Sequence, residues 1–595
     1  MHTRYTSVAG AVDRAVREFP DHDALETADR TFSYREFGAL TDDLARRLAE
    51  HTAPGEFVGI ESRRDAGAVV AVVGALKARR PFVIIDGRDS ESSNADKVRL
   101  LGLRTLAATS SPDGHVDLTE VPRRWLPDGR APGIPWQPPR ALPSDGGEVG
   151  YAISTSGSTG KPKCVLVRAA PLAPVIRDHV ERLEVGPGSR TLQFARLTFD
   201  GCLTEILWTL TAGACLVVLD ESRLAPGAIL AETLERSRIS HLKTTPFALT
   251  VTAPTPAMRL EHVVNGGGPC RLSVLRKWSA ATRFHNAYGL TETTVCNLLT
   301  DPLDPDECRE SVPLGTVVGD CAYHLRETEP ELETEAEGAR PRRGELVITG
   351  ESVALGYLTE HGLRPFREDG TEAYGAEPYG AEQDGAGAVY RTGDIVEERD
   401  GSLHFVERAD RQVKVRGYRL DPGEIENAVC RLETVADAVV VAEAHDSADA
   451  DDLDVLVCYY QGGTDARTVR RHLERVLDSY KIPSVLDRVE SFPYTPNGKV
   501  DREALRAGRR RVSAQREPHS AGGPDQRVLH LVRTLTGVED VQLDDNFFDV
   551  GGDSASAVVL VTKMKELGWR DVGIRDVLRA ENLRGLTEQL PERSV

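Results

Sequence analysis

The sequence predicts an α/β protein that ends in a small helical bundle, and three observations carry that reading. Short β-rich runs alternate with helical patterns through most of the chain, as where the apolar helix-like segment 66–77 precedes Pro81-Phe82-Val83-Ile84-Ile85-Asp86. Such alternation favours parallel sheets covered by helices. A length of 595 residues, 40% of them hydrophobic, allows several domains with sizeable cores. Residues 526–595 carry helical spacing in Val528, Leu529, Leu531, Val532 and Leu535, and again from Val558 to Met564, as a bundle would.

Charge and composition exclude whole classes of function. Lys plus Arg total 73 against 93 for Asp plus Glu, a formal net charge of −20. That balance repels a phosphate backbone and argues against nucleic-acid or anionic-membrane binding, while leaving room for a local basic pocket that holds one nucleotide. The nine cysteines are scattered without a CxxC pair, as expected of thiols in a reducing cytosol. The start, Met1-His2-Thr3-Arg4-Tyr5, has no apolar signal core. The longest apolar run, 66–76, falls short of the roughly 20 residues that span a bilayer. A soluble, cytoplasmic chain is expected.

Two stretches read as connections. Residues 377–387 are rich in Gly, Ala and Glu without periodicity and read as a surface loop. The stretch from Arg506 through Pro518, Gly522, Gly523 and Pro524 is polar and reads as an interdomain linker.

The most informative segment is Tyr151-Ala-Ile-Ser-Thr-Ser-Gly-Ser-Thr-Gly-Lys-Pro-Lys163. A strand-like start runs into a loop in which Gly157 and Gly160 let backbone N–H groups turn inward. Ser156, Ser158 and Thr159 add hydroxyl donors, and Lys161 and Lys163 add positive charge. Such a loop can cradle a polyphosphate, although mobile linkers use the same residues. It is not the GxxxxGK[ST] P-loop, because proline follows Lys161.

Here the sequence resembles the adenylate-forming enzymes, specifically the amino-acid-activating adenylation domains of nonribosomal peptide synthetases. Their signature loop TSGSTGxPKG matches 155–163, with Cys164 in place of the last glycine. Further matches follow in the family's order. They are Thr31-Phe-Ser-Tyr-Arg-Glu-Phe37; Asn286-Ala-Tyr-Gly-Leu-Thr-Glu-Thr293, with Leu290 for proline; Gly344-Glu-Leu-Val-Ile-Thr-Gly350; and Gly356-Tyr357-Leu358. Then come Tyr390-Arg-Thr-Gly-Asp394, the run Arg408 to Gly417, Glu424-Ile-Glu426, Ser479-Tyr-Lys-Ile-Pro483 and Asn497-Gly-Lys-Val-Asp-Arg502. The resemblance covers essentially 10–505. It implies a large N-terminal subdomain of stacked sheets and helices over 1–408, a small mobile α+β subdomain over 409–508, a linker over 509–525 and a four-helix carrier over 526–595.

Joining a carboxylate to a phosphate means bringing two anions together in line, so their repulsion must be neutralised. The resemblance gives that task to Lys499 and implies catalytic positions at Thr155, Lys163 and Glu292. Glu292 is also the implied Mg²⁺ ligand, a hard oxygen donor for a hard cation. Asn286 would read the adenine amine, Tyr288 stack on the base, Asp394 accept the ribose hydroxyls with Arg408 close by, and Thr291 and Phe405 line the nucleotide. Asp410 matches the family's hinge, about which the small subdomain rotates between steps. ATP and Mg²⁺ are thereby implied.

In Thr198-Phe-Asp-Gly-Cys202, the resemblance makes Asp200 the partner of an α-ammonium. The family's pocket positions carry over to Asp200, Gly201, Thr204, Thr244, Val264, Gly266, Ala287, Val295, Cys296 and Lys499. Small walls leave volume, Thr204 and Thr244 offer hydroxyls, and no charged group stands at the far end. The implied substrate is aromatic, tyrosine first, then tryptophan, phenylalanine or a modified tyrosine. The register of Val264 and Gly266 depends on a Gly266-Gly267-Gly268 run that can slip by one.

Asp545-Asn-Phe-Phe-Asp-Val-Gly-Gly-Asp-Ser554 resembles the peptidyl carrier motif, whose serine receives 4′-phosphopantetheine from coenzyme A. As an isolated string it would read as a plain helix cap. The expected activity is a freestanding adenylation–carrier didomain with room for neither a condensation nor a thioesterase domain. It would be served by a phosphopantetheinyl transferase, by tailoring or condensation enzymes acting in trans, and in many relatives by an MbtH-like protein. The rivals are an acyl- or aryl-CoA ligase and a non-catalytic adenylate-binding scaffold, the latter suggested by Cys164, Leu290 and Glu407.

Overall fold

The alternation of strand and helix builds two large sheets and a smaller one in the first part of the chain. A computed structural model describes residues 6–109, 112–126, 149–155, 163–308, 311–326, 342–366, 388–409, 413–415, 418–444, 454–493, 500, 502, 504–506, 524–536, 541–547, 550, 552, 554–569, 572–573, 576–577 and 580–588. Two compact units divide it between residues 412 and 413.

In the first unit, a nine-stranded sheet has at its centre the strands Arg283–Tyr288, His262–Asn265, His241–Thr244, Arg190–Leu192 and Cys215–Val217. These five pair parallel throughout. An eight-stranded sheet centres on Val149–Thr155, Phe82–Ile85, Val58–Glu61 and Thr105–Thr109, also mutually parallel. The third is an antiparallel four-stranded sheet of Cys321–Arg326, Arg342–Gly350, Val389–Arg399 and Ser402–Arg408.

One apolar core draws on both large sheets and on the helices packed against them. The Ala66–Lys77 helix is buried from Ala66 to Leu76, which explains why its sequence is apolar on every side. The Gly201–Thr211 helix is buried from Cys202 onward. The Tyr34–His51 helix opens on a capping box, in which Ser33 Oγ accepts from Glu36 N–H and Glu36 accepts from Ser33 N–H. Its Tyr34 hydroxyl donates to Ala214 O at 2.8 Å, tying the helix to the turn before the Cys215–Val217 strand.

In the second unit, a three-stranded sheet of Val435–Ala444, Asp454–Gly462 and Val485–Arg488 packs with the helices Pro422–Cys430 and Ala466–Val476 around its own apolar cluster. Beyond it, the helices Pro524–Thr536, Ser554–Glu566 and Leu583–Thr587 are described. The first starts inside the stretch read as linker: Pro524 opens the helix, where a missing N–H costs nothing. Residues 377–387 lie outside the described residues. Among the described residues no helix is long and apolar enough to cross a membrane, and all nine cysteines are free thiols.

Candidate active site

The parallel strands His241–Thr244, His262–Asn265 and Arg283–Tyr288 sort the expected site residues onto two faces. Residues paired across neighbouring strands leave the same face, and successive residues alternate. Thr244 pairs with Asn265 and Asn265 with Asn286, so these three share a face, together with Tyr288 two residues on. Lys243 pairs with Val264 and Val264 with His285, which puts Lys243, Val264 and Ala287 on the opposite face.

On the first face, the Asn286 side chain accepts from Asn265 Nδ2 at 2.9 Å and donates to Pro313 O at 2.8 Å. The buried Tyr288 donates its hydroxyl to Asp394 Oδ2 at 2.6 Å. Asp394 is fully buried, and across the sheet Arg408 Nη1 donates to its Oδ1 at 2.6 Å. Burial and the Asp394 charge hold the Tyr288 phenol well above its ordinary pKa, so it stays a donor. Phe405 packs beside Tyr288 in the same apolar cluster. Two buried oxygens on this face, Thr244 Oγ1 and Asn265 Oδ1, have no partner. A carboxylate offers about four acceptor sites, so Asp394 can also accept hydroxyls. The donor and acceptor set fits a nucleoside.

Glu292 sits in the short turn Thr291–Thr293, buried, and its Oε1 accepts from the Tyr357 hydroxyl at 2.7 Å. The Lys163 amine lies 3.6 Å from the centre of the Tyr357 ring. A single buried carboxylate suits Mg²⁺, which takes few protein oxygens and completes its shell with phosphate and water. Just after Glu292, Thr294 and Val295 both hold φ at +62°, a left-handed conformation that costs a β-branched residue about 1–3 kcal/mol.

The opposite face meets the start of the Gly201–Thr211 helix. Asp200 is its N-cap residue, yet its side chain makes no capping bond, and its Oδ2 is buried without a partner. Burial pushes the Asp200 carboxyl up to about 6, partly offset by the Thr291 hydroxyl and the Lys243 charge. Thr204, one turn on, donates to Gly201 O at 2.7 Å and accepts from Lys243 Nζ at 2.6 Å. Val264, Ala287, Val295 and Cys296 share one apolar cluster with Cys202 and Leu203 of that helix. A Cβ on Gly266 would meet Lys243 Cε at 3.3 Å, so Gly266 stands on the Lys243 side.

Two expectations are corrected here. Thr244 does not share the face of Val264; the strand residue that does is Lys243. The lining is also not free of charge, because the Lys243 amine reaches Thr204. Strand alternation is the signal that distinguishes the two: in His241-Leu242-Lys243-Thr244, Leu242 and Thr244 share one face, and Lys243 faces with Val264.

The loop residues Ser156, Gly157, Ser158, Thr159 and Gly160, the hinge candidate Asp410, and Lys499 lie outside the described residues, as do the side chains of Thr155 and Ser554. Thr155 and Lys163 pair across the strands that flank the loop. Helix Ser554–Glu566 begins at Ser554, the serine expected to carry phosphopantetheine. Just before it, Gly552 N–H bonds to Phe547 O at 2.9 Å, and a Cβ on Gly552 would collide with the buried Phe547 ring.

Comparison with known proteins follows these divisions. Residues 12–358 match the AMP-binding enzyme family, 424–499 its C-terminal domain, and 526–590 the phosphopantetheine attachment site. Novobiocin biosynthesis protein H of Streptomyces niveus is 33% identical over 95% of this chain and 93% of its own length. Bacitracin synthase 3 of Bacillus licheniformis is 30% identical over 97% of this chain, which spans only 9% of that protein. Among solved structures, holo-PA1221, a nonribosomal peptide synthetase protein with adenylation and carrier domains bound to a vinylsulfonamide inhibitor, aligns with a TM-score of 0.76. It is 24% identical over 98% of this chain and 96% of that one, a likeness of fold. Adenylation in this family uses ATP and Mg²⁺, and its carrier domain bears 4′-phosphopantetheine on a serine. The chain belongs to the AMP-binding enzyme family, as an adenylate-forming ligase of the nonribosomal peptide synthetase type joined to a phosphopantetheine carrier domain.

Proposed function

We propose that this chain activates one free amino acid as its adenylate and loads it onto Ser554 of its own carrier domain. The observation that carries the reading is Asp200, a half-buried residue whose Oδ2 is itself buried and unpartnered, which an α-ammonium group would complete. A buried charge without a partner costs several kcal/mol, so the site favours a ligand that brings a cation.

In the first step the amino-acid carboxylate bonds to the α-phosphorus of ATP and pyrophosphate leaves. Asp200 holds the ammonium end of the amino acid. Asp394, braced by Tyr288 and Arg408, accepts the ribose hydroxyls, Asn286 faces the base edge, and Thr291 and Phe405 border the nucleotide. Glu292 would hold Mg²⁺, and Thr155, Lys163 and the loop residues 156–160 would serve the phosphates. Lys499 bridges the carboxylate and the α-phosphate, removing the repulsion between them. Mg²⁺ supplies charge neutralisation at the leaving pyrophosphate. Asp410 is the proposed hinge residue for the change between the two steps. Ser554 would hold the phosphopantetheine arm, whose thiol would supply the acceptor for the aminoacyl group as AMP leaves.

The partners of this reading are a phosphopantetheinyl transferase acting on Ser554, enzymes that use the loaded residue in trans, and an MbtH-like protein. An aromatic substrate, tyrosine first, suited a lining without charge; the Lys243 amine removes that support. Intact-mass spectrometry of the pantetheinylated chain with ATP and an amino-acid pool tests the whole. One mass increment matching an amino acid is expected. Ser554→Ala abolishes it and leaves pyrophosphate exchange intact, whereas Lys499→Ala abolishes exchange. A free CoA thioester as product would favour the acyl-CoA ligase reading, and nucleotide binding without turnover the scaffold.

A further inference from the structure

The amine of Lys243 lies beside Thr204 and Gly201, on the face proposed above to take the amino acid. Its one hydrogen bond among the described residues goes to Thr204 Oγ1, at 2.6 Å. Thr204 in turn spends its own proton on Gly201 O, so its hydroxyl acts on Lys243 only as an acceptor. An ammonium has three donors, and two are left. Asp200 and Glu205 are near enough for their charges to be felt, as the Lys243 charge that draws both carboxyls down shows. Neither is within ion-pair distance of it. Glu205 is committed elsewhere, accepting from the N–H groups of Phe194 and Ala195. The pocket therefore presents a carboxylate at one end and an under-coordinated ammonium at the other.

Geometry sets the span between them. Asp200 and Thr204 are four residues apart at the start of one helix, about 6 Å along its axis. The amine lies 3.9 Å from the place a Cβ on Gly201 would occupy, so it sits close to the α-ammonium end. The arm of Lys243 also fills the space in front of Gly266, removing the room that two glycine walls would leave for a ring.

We propose that Lys243 selects an amino acid whose short side chain ends in a carboxylate, of the aspartate class, with Thr204 holding the amine in place. The inference rests on the amino-acid-activating reading above. A neutral ring would cover the half-buried ammonium without pairing it, whereas a side-chain carboxylate accepts its two remaining donors and balances its charge.

The test is amino-acid-dependent pyrophosphate exchange by the full chain, with aspartate, asparagine, glutamate, tyrosine, phenylalanine and the remaining proteinogenic amino acids. Aspartate is expected to give kcat/KM at least about 10-fold above any uncharged amino acid. Lys243→Met, close in length and uncharged, should lose about 100-fold for aspartate while losing little for asparagine, and Lys243→Arg should keep the acidic preference. Fastest exchange with tyrosine or any other uncharged or basic amino acid overturns the proposal and leaves amino-acid activation standing, as does an undiminished aspartate preference in Lys243→Met. Glutamate ahead of aspartate overturns the short side chain. Exchange with no amino acid at all overturns the activation reading itself.

Discussion

Tyr288 donates its hydroxyl to the fully buried Asp394 at 2.6 Å, across two sheets of the first unit. The bond fixes both the tilt of the ring and the direction of the carboxylate, while Arg408 holds the other oxygen. Tyr288→Phe keeps the ring and deletes the donor. Loss of a hydrogen bond to a charged group costs about 1.5–3 kcal/mol. The variant is expected to lose that much stability in urea unfolding and to show a several-fold higher KM for ATP with an unchanged KM for the amino acid.

Asp200 makes activity and stability respond to pH in opposite senses. Its carboxyl is raised from 3.8 to about 6, so between those values the folded chain holds a proton that the unfolded chain has released. Its contribution to stability is therefore present below pH 4 and lost as pH rises through 6. Asp200→Asn should be at least as stable as the parent at pH 7 and indistinguishable near pH 4, read as melting temperature. Exchange by the parent should fall as pH drops below about 6, because a protonated Asp200 no longer pairs with an ammonium, and Asp200→Asn should be nearly inactive throughout.

Tyr357 orients Glu292 through the 2.7 Å bond to Oε1, and the Lys163 amine lies over its ring. Residues that orient a metal ligand commonly contribute about 10–100-fold in metal affinity or activity. Tyr357→Phe should raise the Mg²⁺ concentration needed for half-maximal exchange by about 10-fold or more, with the ring contact to Lys163 intact. An unchanged Mg²⁺ titration would show that Glu292 needs no such support.

Gly552 is required by packing, not by backbone conformation. Any side chain there meets the Phe547 ring. Overpacking of this kind costs about 1–3 kcal/mol. Gly552→Val should slow pantetheinylation of the carrier and lower thioester loading, assayed by intact mass, while exchange proceeds at the parental rate.

What the sequence made legible was the order of elements and the motifs that lie on them. Asn286 and Tyr288 share a face and Tyr288 bonds Asp394, because each sits on a strand whose alternation fixes its direction. Lys243 escaped for the same reason in reverse: its identity is plain in His241-Leu242-Lys243-Thr244, but only pairing with Val264 tells which of two neighbours faces the Gly201–Thr211 helix. Pro524 lies in the polar stretch that reads as linker, yet it opens a helix, where its missing N–H fits without loss. Tyr357 gave no warning of its contact with Glu292, since the two are 65 residues apart.

The Gly201–Thr211 helix bears Asp200 at its tip and is enclosed along the rest of its length. A rod clamped so tightly cannot be slid or tilted to accommodate a different guest. Descendants of this chain would change their diet by exchanging individual side chains at the rod's open end and on the facing strands, and redesign should begin with the pair Thr204 and Lys243 exchanged together.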